Sequence, residues 1–154
     1  MIIGGYSGGI RYLSQVTRYS QEGEAQTLPD MAQTRFRAGC AKYEAAGGTG
    51  AVLIVTGGGS RGQSLSSTEI LTEGSLAWQE EQPLPLAFQG IAGLTLDNKV
   101  FITGGLNRAS DTASDSIYQW TEQGWETVGS LTVARYYHGV SMVSMATLRN
   151  ICTP

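Results

Sequence analysis

The chain has 154 residues, of which 41% are hydrophobic, 15% are charged and 21 are glycine. This composition suits one folded domain and excludes both a disordered segment and, because the glycines lack a three-residue period, a collagen-like chain. The formal net charge of -3 argues against a broad basic surface for nucleic acid or membranes, so we expect no nucleic-acid and no membrane partner.

Cysteine and histidine are too few and too scattered for a disulfide framework or a zinc site. Cys40, Cys152 and His138 have no CxxC or HxxxH spacing. We therefore expect no metal and no cofactor, and we interpret the cysteines as small buried thiols. Met1-Ile2-Ile3 meets Gly4-Gly5 without a charged leader, which favours a cytoplasmic address, while a fragment that has lost its targeting segment stays open.

Short runs of branched and aromatic residues recur along the chain and are bounded by turn signals. Such runs predict strands, and no segment shows a helical period. The predicted strands lie around Leu13–Tyr19, Ala51–Val55, Thr68–Leu71, Val100–Ile102 and Ser116–Trp120. The sequence therefore predicts an all-β protein.

Three landmarks repeat with a period near 50 residues. They are a double glycine after an apolar run, a lone turn glycine beside an acidic residue, and a glycine that opens the next apolar segment. Their positions are Gly4-Gly5, Gly57-Gly58 and Gly104-Gly105, then Gly23, Gly74 and Gly124, then Gly39, Gly90 and Gly139. A period of about 50 residues is typical of four-stranded propeller blades.

The order of landmarks resembles the kelch repeat. In that pattern the double glycine is followed by an aromatic residue, then a tryptophan, then an arginine before the next glycine-flanked strand. The matching residues are Tyr19 and Tyr118 or Trp120, then Trp78 and Trp125, then Arg35 and Arg135, whereas Leu71, Ala25-Gln26 and Leu86 stand at departures. The resemblance implies four-stranded antiparallel blades, with Trp78 and Trp125 buried between them.

The resemblance also divides the chain. Residues 1–145 form the predicted partial propeller, with repeats at 1–38, 39–89 and 90–138, one extra strand at 139–145, and an irregular tail at 146–154. Because a propeller ring typically takes four to eight blades, about three blades predict an incomplete ring. Its open edges predict self-association.

Candidate catalytic motifs have weak support. Gly57, Gly59 and Gly62 match the letters of a dinucleotide-binding loop, but a Ser/Thr-rich segment follows where a helix is needed. The pairs Glu80-Glu81 and Asp111/Asp115 lie in polar stretches that predict solvated loops. Ser141 and His138 have no recognisable third partner. We therefore expect no catalysis.

Arginines follow each double glycine, at Arg11, Arg61 and Arg108, and repeat symmetry predicts that all three lie on one face. A guanidinium group suits a carboxylate or phosphate, so one hypothesis is a binding face for an acidic peptide, and the other is a set of solvated loop residues. Arg35 and Arg135, with Phe36 and Tyr136-Tyr137, are predicted to reach the same face or to line the central channel.

The resemblance implies a protein-interaction module, with substrate recognition for a ubiquitin ligase or actin binding as the roles such propellers often have. Two alternatives stay open. One is a fragment of a propeller enzyme, such as a kelch-like oxidase or a sugar-processing enzyme, and the other is a truncated product without independent function. A metal-radical oxidase needs several histidine ligands, and the sequence has one histidine.

Overall fold

Three antiparallel sheets follow one another in the computed structural model, which describes residues 1–9, 11–48 and 50–143. Apart from a short 3-10 turn at Ala46–Gly48, the elements of these residues are strands, which confirms the all-β prediction. Within the same residues, no helix has the length and apolar character needed to cross a bilayer.

The first sheet has three strands, in the order β1 (Ile2–Ser7), β2 (Arg11–Tyr19) and β3 (Ala25–Leu28). The turn glycine Gly23 has a positive φ of 85° and lies between β2 and β3, where the sequence predicts a hairpin. Strand β1 is the edge of this sheet, and its outer side pairs with no strand among the described residues.

The second sheet has four strands and carries a small hairpin at one end. In chain order the elements are β4 (Gly39–Glu44), β5 (Ala51–Thr56), the hairpin β6 (Gly59–Ser60) and β7 (Gln63–Ser64), then β8 (Thr68–Thr72) and β9 (Gln79–Glu81). Spatially the sheet runs β4-β5-β8-β9. The hairpin follows the double glycine Gly57-Gly58, where positive φ values turn the chain sharply out of β5.

The third sheet repeats this plan. Its elements are β10 (Ala92–Leu96), β11 (Lys99–Thr103), the hairpin β12 (Leu106–Asn107) and β13 (Thr112–Ala113), then β14 (Ser116–Thr121) and β15 (Gly124–Ser130). The sheet order is β10-β11-β14-β15. Three such sheets fall short of the four to eight of a closed ring, so the chain forms an incomplete propeller.

Backbone hydrogen bonds define which positions are equivalent between repeats. The second glycine of each pair donates its N–H to a carbonyl in the following loop, from Gly5 to Arg35, from Gly58 to Phe88 and from Gly105 to Arg135. Phe88, and not Leu86, is therefore the counterpart of the two arginines.

The sequence landmarks aligned Gly90 with Gly39, and these hydrogen bonds show that the two are not counterparts. Gly39 pairs with Thr56 and Ala92 pairs with Thr103, so Ala92 opens the third sheet as Gly39 opens the second. Gly90 instead corresponds to Arg37 and Tyr137, and all three have positive φ values near 60°. The glycine at 90 reflects this backbone conformation and not the start of a strand.

Two hydrophobic clusters lie at the two junctions between neighbouring sheets. The first contains Val16, Met31, Val55, Leu71 and Trp78. The second contains Ile54, Leu84, Phe88, Ile91, Val100, Ile102, Tyr118 and Trp125. Trp78 and Trp125 are 8% and 9% exposed, which confirms that the repeated tryptophans are buried between sheets.

Each tryptophan also reaches the preceding repeat with its indole N–H. Trp78 donates to the Pro29 carbonyl at 2.8 Å, and Trp125 donates to Thr68 Oγ1 at 2.9 Å. A buried indole N–H needs such a partner, so these bonds fix how the tryptophan is seated.

The predicted extra strand at 139–145 is not formed over Gly139–Val143, which are exposed and irregular, while residues 144 and 145 lie outside the described range. In the second and third sheets, the innermost strand pairs with the next strand of its own sheet. The described residues contain no such strand after β15, so this segment has nothing to pair with.

Candidate functional site

The three arginines predicted to share a face lie at equivalent hairpins. Arg11 starts β2 opposite Ser7, Arg61 lies in the turn between β6 and β7, and Arg108 follows β12. All three are exposed. Each hairpin follows the double glycine of its repeat, and a face shared by the three arginines stays a prediction.

Arg35 does not belong to that surface, which corrects the expectation that it reaches the face or lines the channel. Its side chain is fully buried and forms an ion pair with Glu69 at 2.5 Å. It also donates to the carbonyl oxygens of Gly57 and Ser67, at 2.7 and 3.1 Å.

The Arg35–Glu69 ion pair has a structural role, because both groups are bonded to each other and to the backbone. Burial lowers the pKa of the Arg35 guanidinium, and the hydrogen bond and charge of Glu69 oppose that shift. Glu69 in turn accepts the backbone N–H groups of Ala32 and Gln33, at 2.7 and 3.3 Å. Because both side chains are buried and paired with each other, neither is exposed to a ligand.

Arg135 and Tyr136 occupy the same positions in the third repeat as Arg35 and Phe36 in the first, and both are exposed. The Nε–H of Arg135 donates to the Val133 carbonyl two residues away, at 3.1 Å. The ring of Tyr136 packs edge-on against Tyr137, with ring centroids 4.7 Å apart. Both side chains therefore remain available to a partner.

An open cavity of about 510 Å³ lies where the first sheet meets the second, lined by Gly5, Tyr6, Tyr12, Phe36 and Arg37. Tyr12 and Phe36 are stacked with centroids 5.4 Å apart, and Tyr6 lies 5.6 Å from Tyr12 and 6.1 Å from Phe36. We call these four side chains, Tyr6, Tyr12, Phe36 and Arg37, the aromatic cradle. Tyr6 is 53% exposed, a large fraction for an aromatic ring.

The aromatic cradle was missed in the sequence because its members come from three segments. Tyr6 and Tyr12 are cross-strand partners in the first hairpin. Phe36 arrives from the loop after β3 and forms a bridge with Gly59 of the second repeat. The available signal was the aromatic residue directly after the first double glycine, where the second repeat has Gly59 and the third has Leu106.

Arg37 connects the aromatic cradle to the end of the third repeat. Its guanidinium carbon lies 5.1 Å from the centroid of Phe36 and 4.3 Å from that of Tyr137, both within cation–π range. The equivalent backbones are also joined, since Gly90 donates to the Arg37 carbonyl and Tyr137 donates to the Gly90 carbonyl, both at 2.8 Å. Backbone hydrogen bonds therefore link Arg37, Gly90 and Tyr137 in one continuous row across the three repeats, which we call the polar line.

The residues considered for catalysis are not brought together within the described part of the chain. His138 Nε2 lies 2.8 Å from Thr103 Oγ1, and the Ser141 hydroxyl contacts the neighbouring Met142 carbonyl. No cluster of three or more histidine, cysteine, aspartate or glutamate side chains occurs among these residues. Gly62 lies in the β6–β7 turn and no helix follows it, so this loop does not have the dinucleotide-binding context.

Cys40 is exposed on β4, which corrects the interpretation of a buried thiol, and Cys152 lies outside the described residues. Along β4, Gly39 is buried and then Cys40, Lys42 and Glu44 are exposed while Ala41 and Tyr43 are half-buried. Ala41 and Tyr43 pack toward the third sheet. Cys40 lies on the opposite face of β4. That face is directed toward the first sheet, which has three strands and lacks a counterpart of β4 among the described residues.

Comparisons with known proteins agree with this geometry at the level of fold. Over 109 residues the chain is 26% identical to Kelch-like protein 15 of Mus musculus, Rattus norvegicus and Homo sapiens, a match covering 61% of this chain and 18% of those proteins. The chain thus spans less than a fifth of the length of these curated relatives. No family model matches the sequence.

The solved structure of YjhT, a β-propeller, superposes with a TM-score of 0.64 at 13% identity, covering 82% of this chain and 41% of that one. At this identity the likeness concerns the fold alone. Together the two comparisons support a relationship to kelch-type propellers, of which this chain forms three blades.

Proposed function

We propose that the chain is a protein-interaction module that binds an acidic segment of a partner at the aromatic cradle. The observation that carries the proposal is a cluster of three aromatic rings, of which Tyr6 is exposed and Tyr12 and Phe36 are half-buried, beside the exposed Arg37 in an open cavity at the junction of two sheets. Exposed aromatic residues and arginine are the residue types enriched where proteins bind one another.

The shape and chemistry of the cavity favour a peptide over a small substrate. It is open, and its charged group is a cation whose guanidinium suits a carboxylate. The two tyrosine hydroxyls add hydrogen-bonding capacity, while the stacked rings of Tyr12 and Phe36 offer an apolar surface. An acidic residue next to an aromatic or aliphatic side chain would satisfy both features.

The hairpin arginines Arg11, Arg61 and Arg108 extend this surface in the proposal. Arg11 lies one register position beyond the Tyr6–Tyr12 pair, and the hairpin that carries Arg61 begins at Gly59, which bridges to Phe36. A local basic rim is compatible with a net charge of -3, because the partner meets the local potential first. Recognition of a ubiquitin-ligase substrate or of actin in the cytoplasm are particular forms of this role, and a non-catalytic role belongs to the same proposal.

The test is selection from a random peptide display library on the immobilised chain, followed by fluorescence titration of an enriched peptide. We expect acidic peptides with an aromatic or aliphatic residue, and a loss of about tenfold or more in affinity for Arg37→Ala, the scale of one charge-assisted hydrogen bond. Arg18→Ala, an exposed arginine at the far end of β2, is the matched control. Enrichment without acidic residues, or equal losses for both variants, would overturn the proposal.

A further inference from the structure

Among the described residues, both ends of the arc lack a neighbouring strand. At one end, the outer edge of β1 pairs with no strand among the described residues, and Ile2 on that strand is 58% exposed. At the other end, Gly139–Val143 is an exposed segment with Val140 and Met142 in contact with solvent. We propose that two copies of this chain associate head to tail, with Gly139 and Val140 of one copy pairing with the first residues of β1 in the other.

The internal repeats define the register of that pairing. Gly139 follows Arg135 by four residues, as Gly39 follows Arg35, so residues 139–143 occupy the position of β4. In the second sheet Gly39 pairs with Thr56 and Cys40 pairs with Val55. The equivalent pairs across two copies are Gly139 with Ile3 and Val140 with Ile2, which would add a short fourth strand beside the start of β1.

The sheet faces at the two ends are also complementary. In the second sheet, Ile54 and Ala41 pack against the third sheet, and their counterparts in the third sheet are Phe101 and Leu94. Both counterparts are only half-buried, and Leu96 beside them is 46% exposed. Three sheets from each copy make six, a number within the range of closed propellers, and a twofold axis makes the two junctions identical.

Within the chain, Arg35 fills a socket formed by Gly57, Ser67 and Glu69. In the dimer, Arg135 would enter the equivalent socket of the other copy, where one group differs. The counterparts of Gly57, Ser67 and Glu69 in the first sheet are Gly4, Gln15 and Thr17. The carbonyl partners are therefore available in a second copy, whereas the carboxylate is replaced by the Thr17 hydroxyl. Burying a guanidinium group without a carboxylate is costly, which makes the association weak.

The candidate binding surface would gain a residue in this assembly. Phe36 bridges to Gly59 and Gln89 bridges to Leu106, the residues that follow the double glycines of the next repeat. By the same rule, Tyr136 of one copy bridges to Tyr6 of the other and adds a fourth aromatic ring to the aromatic cradle. This consequence rests on the proposed function, whereas the association itself does not.

The decisive experiment supplies the missing carboxylate. Sedimentation velocity of the 154-residue chain over a concentration series should show a monomer–dimer equilibrium. Thr17→Glu should lower the dimer dissociation constant by about tenfold or more, in the range of close charge pairs across interfaces. Thr17→Gln is the uncharged control of the same size, and Thr17→Glu combined with Arg135→Ala should lose the gain.

A second measurement does not depend on those substitutions. In a background where Cys40 and Cys152 are serine, equal amounts of an Ile2→Cys chain and a Val140→Cys chain should form a mixed disulfide-linked dimer, because these positions face each other in the proposed register. Ile2→Cys mixed with Val133→Cys, which lies before the pairing segment, is the control.

Several outcomes would overturn the inference. They are a strict monomer at every concentration with both Thr17→Glu and wild type folded by circular dichroism, open-ended polymers in place of a dimer, and cross-linking that is equal for Val140→Cys and Val133→Cys. A tightened Thr17→Glu dimer that is indifferent to Arg135→Ala would likewise contradict the proposed socket. Peptide binding by a strict monomer would leave the proposed function standing and remove only the assembly.

Discussion

The two junctions between neighbouring sheets share one backbone plan and differ at one equivalent pair of positions. At the first junction the pair is Arg35 and Glu69, an ion pair that is almost completely buried. At the second junction the corresponding residues are Phe88 and Tyr118, with ring centroids 6.4 Å apart. Both junctions also carry one tryptophan that donates its N–H to the preceding repeat.

The comparison shows that the position requires a filled volume and not a particular chemistry. An aromatic pair fills it through apolar burial, while the ion pair fills it through charge and hydrogen bonds to backbone carbonyls. A buried ion pair is seldom the more stabilising choice, but removing one partner leaves a buried charge and is strongly destabilising. The ion pair therefore disfavours packing of the first repeat against a sheet that has an aromatic residue in place of Glu69, because Arg35 would then be buried without a carboxylate.

The tryptophan common to both junctions gives the largest expected effect. Trp78→Ala and Trp125→Ala should each lower the free energy of unfolding by about 3–5 kcal/mol, because each leaves a cavity between two sheets. Urea denaturation followed by circular dichroism measures this. Leu76→Ala, at a residue that is 92% exposed, is the control and should change little. A loss below about 1 kcal/mol for either tryptophan would show that the sheets do not depend on it.

Exchange of the two pairs tests the comparison directly. Glu69→Ala should cost about 3 kcal/mol by leaving the Arg35 guanidinium buried without its carboxylate. The double substitution Arg35→Phe with Glu69→Tyr, which copies the second junction into the first, should recover most of that loss. If the double variant is no more stable than Glu69→Ala in the same denaturation experiment, the two junctions are not interchangeable and their backbones differ in a way that matters.

The sequence predicted the elements of these junctions better than their contacts. The double glycines act through local turns, and Trp78 and Trp125 act through their size. Their roles can therefore be predicted from the residue type that recurs in each repeat. Arg35 was misinterpreted because its partner Glu69 is 34 residues away and lies in the next repeat, and arginine before a glycine reads as a loop residue. Phe88 was missed because Gly90, which is present for a left-handed backbone, matched the glycine landmark by coincidence.

Gly90 offers a smaller test, since it lies on the polar line that joins both junctions. A Cβ atom at Gly90 would lie 2.2 Å from Cδ1 of Tyr137, whereas a Cβ atom at Gly62 would meet nothing within 4 Å. Both glycines have positive φ values, 68° and 83°, so alanine is strained at either position. Gly62→Ala should cost about 1 kcal/mol from strain alone, and Gly90→Ala should cost about 1 kcal/mol more.

The position of the Tyr137 ring determines the cause of the extra stability loss expected for Gly90→Ala. Its ring is 49% exposed and can swing into solvent, which would relieve the contact and release Arg37 from the tyrosine face. Gly90→Ala combined with Tyr137→Ala should then cost no more than Gly62→Ala, as measured by thermal unfolding. A persistent excess in the double variant would assign the cost to the Gly90 backbone instead of the tyrosine ring.

The smallest effect concerns the open end of the third sheet, after which residues 131–143 form no further junction. His138 contacts Thr103 there, and burial, aided by the charge of Arg135, lowers the pKa of the imidazole below its ordinary value of 6.5. The folded state therefore favours the neutral ring. Its stabilising contribution is present above the unfolded-state pKa of about 6.5 and is lost as the pH falls toward the lower folded-state value.

Because His138 is the only histidine of the chain, its ring protons can be followed by NMR without assignment of other residues. We expect a titration midpoint below 6.5, and a melting temperature that falls between pH 7.5 and pH 5.5 by slightly more in the wild type than in His138→Gln, which cannot titrate. A midpoint at or above 6.5 would mean that the ring at this end is solvated and that residues 131–143 are not held against the third sheet. Such a result would separate the two closed junctions from the open end, because only the closed junctions would then keep their polar groups out of water.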